Sequence, residues 1–246
     1  MSTQNAVEVK DLKKSYKNVE VLKGVSFSIP KGSIYALLGA NGAGKTTTVN
    51  ILTTLARADS GTATVAGIDI SKDPVKVREH ISLTGQFAAI DELLTGRENL
   101  EMIGSLYQLK KDIVASRTAS LLDRFGLTKA ASRRASTYSG GMRRKLDLAI
   151  SLIANPAIIF LDEPTTGLDP RSRRELWEIV KSLANDGATI FLTTQYLDEA
   201  DQLADKVAVL HNGVIVAEDT PTKLKEGVGA ATLDEVFMKL TRSEEE

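Results

Sequence analysis

Cysteine is absent from the 246-residue chain. That excludes a disulfide framework, a thiol nucleophile and any zinc site built on thiolates. Histidine is almost as scarce: His80 and His211 are the only two, too few and too far apart for a His-rich metal cage, so both are read as structural or solvated. Neither charge sign is in excess, since 31 Lys and Arg stand against 32 Asp and Glu. A generic nucleic-acid binder carries a basic surplus, so no nucleic-acid partner is expected. No apolar run reaches the roughly 18–20 residues that span a bilayer. The opening Met-Ser-Thr-Gln-Asn has neither the basic nor the apolar segment of a secretory leader. A soluble, cytosolic protein is expected. Hydrophobic residues make up 42% and charged residues 26%, enough to bury a core in one or two domains.

The first third is rich in β signals. Residues 19–21 and 25–29 cluster β-branched side chains, and Pro30-Lys31-Gly32 makes a turn. Residues 33–38 form a short apolar run suited to a buried strand, and 46–56 carry Val49, Leu52 and Leu55 at helical spacing. Asp59-Ser60-Gly61 turns into a further β stretch at 62–66. From about 87 to 155 the apolar spacing is helical throughout, as in Leu100, Ile103, Leu106 and Tyr107, or Met142, Leu146, Ile150 and Ile153. Strands at 157–161, 188–192 and 207–210 then alternate with helices at 170–184 and 196–204. Such alternation predicts a parallel sheet covered by helices. Asn212-Gly213 is a two-residue hairpin signal, and 227–246 read as a short linker and terminal helix.

Gly39-Ala40-Asn41-Gly42-Ala43-Gly44-Lys45-Thr46 fits G-x-x-x-x-G-K-[ST], between a strand-like run and a helical one. This is the context the motif requires. Its glycines let successive backbone N–H groups turn toward phosphate oxygens, and the helix N-terminus adds its positive dipole end. Lys45 can bridge the β- and γ-phosphates, the Thr46 hydroxyl can ligate magnesium, and Thr47 continues the cradle. Such a loop needs an acidic strand end beside it. Ala157-Ile158-Ile159-Phe160-Leu161-Asp162-Glu163 supplies one: Asp162 is placed to complete the metal shell, and Glu163 to polarise an attacking water. ATP and magnesium are the expected ligands.

Tyr138-Ser139-Gly140-Gly141-Met142 opens a helix between these motifs, with Gly141 21 residues before Asp162. Alone, Ser139 reads as an N-cap with a flexible entry. In this order the set resembles the signature motif of ABC-transporter ATPases, and the resemblance runs from about Val7 to Ala217. It implies an α/β fold: a P-loop ATPase core of mostly parallel sheet with flanking helices, an N-terminal antiparallel β region and an inserted helical subdomain at about 87–155. It also implies an ATPase domain over 1–226 and a head-to-tail homodimer formed on ATP binding. Ser139, Gly140, Gly141 and Met142 of one copy would face the ATP held by the other. The same resemblance assigns Tyr16 to adenine stacking and Gln86 to the magnesium and attacking water. Asp169, in Gly167-Leu168-Asp169-Pro170, would lie at the dimer interface and also fits an N-cap before Pro at N1.

Two positions depart from the family pattern. Tyr138 and Met142 replace the usual Leu and Gln that flank the signature, and Gln195 stands where most members have a switch histidine. With the ending Leu233-Asp234-Glu235-Val236-Phe237, these departures are similar to the daunorubicin-resistance type of drug exporter ATPase, whose members typically carry a longer C-terminal region. The resemblance implies ATP hydrolysis driving export through a separate membrane permease, with the subunit peripheral on the inner face of the membrane. Two other readings stay open at this point: a soluble ABC ATPase acting on ribosomes or DNA, and a nucleotide-gated binding module with little turnover. The basic clusters Arg143-Arg144-Lys145 and Arg171-Ser172-Arg173-Arg174 are read as solvated helix faces.

Overall fold

The computed structural model describes residues 4–85 and 90–241. Strands β1 (Asn5–Tyr16) and β2 (Val19–Pro30) form an antiparallel pair. Strand β3 (Ile34–Leu38) leads through the glycine loop into α1 (Lys45–Leu52). Strands β4 (Ser60–Val65) and β5 (Ile68–Asp69) return to the first sheet, and α2 (Pro74–Arg78) precedes β6 (Ile81–Thr84). Three helices follow: α3 (Gly96–Leu106), α4 (Lys111–Arg124) and α5 (Gly140–Ser151). Alternation then sets in with β7 (Ile158–Asp162), α6 (Pro170–Asn185), β8 (Thr189–Thr194) and α7 (Leu197–Leu203). The hairpin β9 (Lys206–His211) and β10 (Val214–Asp219) leads to α8 (Pro221–Gly227) and α9 (Leu233–Thr241).

The strands make two sheets. One is antiparallel in the order β2-β1-β4-β5; the other is β10-β9-β3-β8-β7-β6, parallel except for β10. Every residue of β3, β7 and β8 is buried, which is why these runs are apolar without alternation. The pleat sends neighbours to opposite sides. Ile34, Ala36 and Leu38 join a core with Leu146, Leu176 and Leu203 of the helices, whereas Tyr35 and Leu37 join one with Val7, Leu22 and Ile29 of the antiparallel sheet. The central sheet is thus held from both faces.

Strand β3, which carries the glycine loop, is also pinned at its start. The Ile34 amide donates to Asp205 at 2.8 Å, and the Gly32 amide to the Thr189 hydroxyl at 3.0 Å. In the helical insertion, Thr95 and Glu98 form a capping box at the start of α3. Tyr138 is buried there, its hydroxyl donating to the Ala130 carbonyl at 2.7 Å. A Cβ on Gly96 would fall 2.2 Å from that hydroxyl oxygen, so Tyr138 and Gly96 are matched in size.

Two expectations change in detail. Residues 19–30 form one strand, because pairing with β1 resumes on both sides of a register shift near Gly24 instead of ending there. The helix expected over 46–56 stops at Leu52, where Thr53 accepts the C-cap position and Thr54 turns to a positive φ of 65°. Within 227–246, α9 buries Leu233 and Val236 in the same core as α6 and α7.

Candidate functional site

The loop after β3 is tight for two different reasons. A Cβ on Gly39 would lie 2.6 Å from the Leu210 carbonyl oxygen, and one on Gly44 would lie 2.6 Å from Leu22 Cδ2. Those positions are closed by neighbours. Gly42 has open space around it but a φ of +83°, which only glycine adopts freely. Ala40, Asn41 and Gly42 face solvent, while Ala43 is buried. No side chain caps α1 at its N-cap Gly44, so the first-turn amides of Lys45, Thr46 and Thr47 lack intrahelical partners at the end where anions bind.

Lys45 is buried, yet its ammonium is fully engaged. Nζ donates to the Gly39 carbonyl at 2.8 Å and the Ala40 carbonyl at 3.1 Å, and lies 3.1 Å from Glu163 Oε1. Thr46 Oγ1 donates to Asp162 Oδ1 at 3.3 Å, and the Thr193 hydroxyl of β8 donates to the same oxygen. The parallel register brings this about, because Asp162 at the end of β7 lies opposite Thr193. The two motifs, more than a hundred residues apart in sequence, therefore share one cluster of cation, hydroxyl and carboxylates.

Glu163 follows with a φ of +50°. A side-chain-bearing residue there costs about 1–3 kcal/mol and persists only where its surroundings enforce it. The Glu163 amide donates to the Thr193 carbonyl at 3.1 Å and hydroxyl at 3.2 Å, and the Thr166 hydroxyl donates to Glu163 Oε2 at 3.3 Å. Gln195 lies two residues beyond Thr193, half-buried in the bend before α7. Tyr16, at the end of β1, is exposed, with Lys14 Nζ 5.2 Å from its ring centre. Gln86 lies outside the described residues.

Ser139 is the N-cap of α5, its hydroxyl accepting from the Met142 amide at 3.3 Å. Gly140 is exposed with open space where a Cβ would sit, whereas a Cβ on Gly141 would come within 2.5 Å of Ser172 Oγ. Ser172 donates to Asp169 at 2.6 Å, and Asp169 caps α6 through the Arg171 and Ser172 amides at 3.0 Å. Hydrogen bonds from Ser172, the hydroxyl foremost, hold the Asp169 carboxyl below the usual carboxylate range. The signature turn and the Asp169 turn are therefore packed together. Among the described residues no hydrogen bond or ion pair joins residues 139–142 to residues 39–47.

The solvated-face reading of the basic clusters holds for Arg171 and Arg174, which are exposed, and is corrected for Arg144, Lys145 and Arg173. The Arg144 side chain is only 14% exposed and binds carbonyls at the ends of β6 and β7. Lys145 reaches Glu175 at 2.6 Å, and Arg173 lies 4.6 Å above the Tyr196 ring and 3.3 Å from Asp198. Burial depresses the Arg144 guanidinium, opposed by the carboxylates of Asp147, Glu199 and Asp162. One signal was present in the sequence: Asp147 sits inside the apolar run Leu146-Asp147-Leu148-Ala149-Ile150, and a carboxylate there needs a partner. Glu199 was also missed. It is fully buried, accepts from Trp177 Nε1 at 3.1 Å, and is pushed up chiefly by burial.

Residues 22–166 match the ABC transporter family. The chain belongs to that family. It is an ABC-type ATPase, with the α/β core, antiparallel region and helical insertion that the resemblance implied. It is 52% identical over 231 residues to the daunorubicin resistance ATP-binding protein DrrA2 of Streptomyces coeruleorubidus, covering 94% of this chain and 72% of that one. A solved ATP-binding subunit of an ABC transporter aligns at a TM-score of 0.85 and 31% identity, over 96% of this chain and 99% of its own. An ATP-binding cassette solved as a dimer with ADP and phosphate aligns at a TM-score of 0.78 and 26% identity, over 87% of this chain and 98% of its own. No helix among the described residues is long and apolar enough to cross a membrane.

Proposed function

We propose that this ABC ATPase is the ATP-binding and ATP-hydrolysing subunit of an exporter for drug- or antibiotic-like molecules. It powers a separate membrane permease, at the inner face of the membrane, through ATP-driven head-to-tail dimerisation. The observation that carries the hydrolytic reading is the junction of Lys45, Thr46, Asp162 and Glu163 in one cluster. The cargo class is supported by the 52% identical daunorubicin resistance relative and by the resemblance to that type of ATPase that Tyr-Ser-Gly-Gly-Met and Gln195 carry. Residues 1–226 are taken as the ATPase domain, about 87–155 as its helical subdomain, and 227–246 as a short C-terminal linker and helix.

The residues present fit magnesium and ATP. The loop is closed to any Cβ at Gly39 and Gly44, its α1 amides are uncapped, and a buried cation stands beside a hydroxyl and a carboxylate. Magnesium, when bound, neutralises phosphate charge, and Thr46 and Asp162 would hold it, with Gln86 as a further ligand. Gly39, Asn41, Gly42, Ala43, Gly44, Thr46 and Thr47 offer the phosphates their backbone, and Lys45 offers its ammonium to the γ-phosphate. Glu163 polarises the attacking water and accepts its proton at a carboxylate oxygen. Gln195 donates an amide hydrogen to the γ-phosphate, and Tyr16 stacks on the adenine. Ser139, Gly140, Gly141 and Met142 close over the ATP of the second subunit, with Asp169 at the same interface.

Glu163→Gln tests this reading. The amide keeps the shape but cannot take a proton, so ATP binding should persist while turnover falls about 10²–10⁴-fold, and the ATP-bound dimer should accumulate. Size-exclusion chromatography with Mg-ATP and a phosphate-release assay read both effects. Wild-type turnover together with a monomer in Mg-ATP would remove the role of Glu163 and the sandwich alike.

A further inference from the structure

Helix α5 begins at the signature turn, and five residues after its cap Ser139 it carries Arg144, about 7.5 Å further along the axis. The guanidinium of Arg144 spreads across three segments. Nε donates to the Pro164 carbonyl at 2.6 Å; Nη1 donates to the Gly85 carbonyl at 2.7 Å and to Asp147 Oδ2 at 3.3 Å. Nη2 reaches the carbonyls of Asp162 at 3.5 Å and Glu163 at 3.4 Å. Its bonds thus fall on three successive carbonyls, those of the metal-ligand candidate, the water-polarising candidate and the residue after it.

The backbone of Glu163 is left-handed and gripped from two sides. Thr193 takes its amide, and Arg144 takes its carbonyl and those on either side. Releasing the carbonyl side would let the turn relax toward ordinary φ and swing the carboxylate off its aim. A mere fold strut does not need this much: a buried charge is costly, and an apolar side chain would fill the space more cheaply. We infer that Arg144 is a positioning residue for hydrolysis. It fixes the turn that aims Glu163 and ties that aim to the helix whose first turn meets the other subunit's ATP. This role rests on the reading of Glu163 as the polarising carboxylate. A lysine cannot take it over, because three donors on one nitrogen do not span carbonyls that a planar fork reaches together.

The test compares Arg144→Lys, which keeps the charge opposite Asp147, with the neutral pair Arg144→Gln and Asp147→Asn, which leaves no lone buried carboxylate. Steady-state ATP hydrolysis of the full chain is measured with thermal melting, so that turnover is expressed per folded molecule. Both variants should lose 10- to 100-fold in kcat, with KM for Mg-ATP within about twofold, since Arg144 does not touch the phosphate loop. Added to Glu163→Gln, neither should lower the residual rate further. Wild-type kcat in either variant overturns the proposal, as does a loss carried by KM or one that multiplies with that of Glu163→Gln. Wild-type turnover in Glu163→Gln alone overturns the Glu163 reading, and the role of Arg144 with it.

Discussion

At the scale of single residues, the proposed function turns on Gln195, read from the sequence as standing where most of the family have a switch histidine. It occupies the bend after β8, half-buried, where a histidine would titrate near neutrality. A glutamine amide can donate one hydrogen bond but has no accessible protonation step. Under the proposed function its part is to place the γ-phosphate and the attacking water, leaving proton transfer to Glu163. Gln195→His should therefore remain active and add a step to the pH–rate profile near ~6.5. Gln195→Ala should lose about 10- to 100-fold in kcat, the worth of one charge-assisted hydrogen bond of ~1.5–3 kcal/mol in the transition state. The measurement is kcat against pH at saturating Mg-ATP, and full activity in the alanine variant would make Gln195 a bystander.

Between elements, the joint of α6 and α7 is held by a carboxyl group that has lost its water. Glu199 accepts from Trp177 and is raised chiefly by burial, an effect that this hydrogen bond only partly opposes. A raised carboxyl favours folding below its unfolded value near 4.5, and that contribution disappears as pH climbs through the folded value. Glu199→Gln keeps an acceptor for Trp177 and removes the charge. Its Tm should exceed that of the wild type at pH 7–8 by a few degrees, since 1 kcal/mol is worth about 2–4 °C at this size, and the gap should close near pH 4. A variant that melts lower than the wild type at pH 8 would show that the charged form is the better fit. This joint was invisible in the sequence, because a Glu in a helix reads as surface until its neighbours are known. Arg144 was less hidden, because Asp147 inside an apolar run already called for a partner. Strand β1 was obscured by its charges, Glu8, Lys10, Asp11, Lys13 and Lys14, which interrupt alternation and coincide with shifts in pairing register. The phosphate loop, the acidic end of β7 and the hairpin at Asn212-Gly213 were legible because a few adjacent residues meet a backbone demand that few others can meet.

For the molecule as a whole, the two halves of the proposed nucleotide machinery are set apart in one chain. Lys45, Thr46, Asp162 and Glu163 meet at the end of the parallel strands, while Ser139 and Gly140 stand at the exposed start of α5 without a bond to the loop. Ser139→Arg should accordingly spare nucleotide binding by the monomer, read with a fluorescent ATP analogue, and lower turnover at least tenfold. Melting should show only the loss of a cap, about 1 kcal/mol. Unchanged turnover would place the signature turn outside the working site. A different consequence follows from the 3.1 Å pairing of Lys45 with Glu163. In the proposed reaction, an arriving γ-phosphate would not meet an idle lysine; it would displace a rival anion and free the carboxylate to take hold of water. Loading the site and arming it are one event. When the cleaved phosphate departs, the same carboxylate would recapture the lysine, so that on this reading the chain carries its own substitute for the product it must let go.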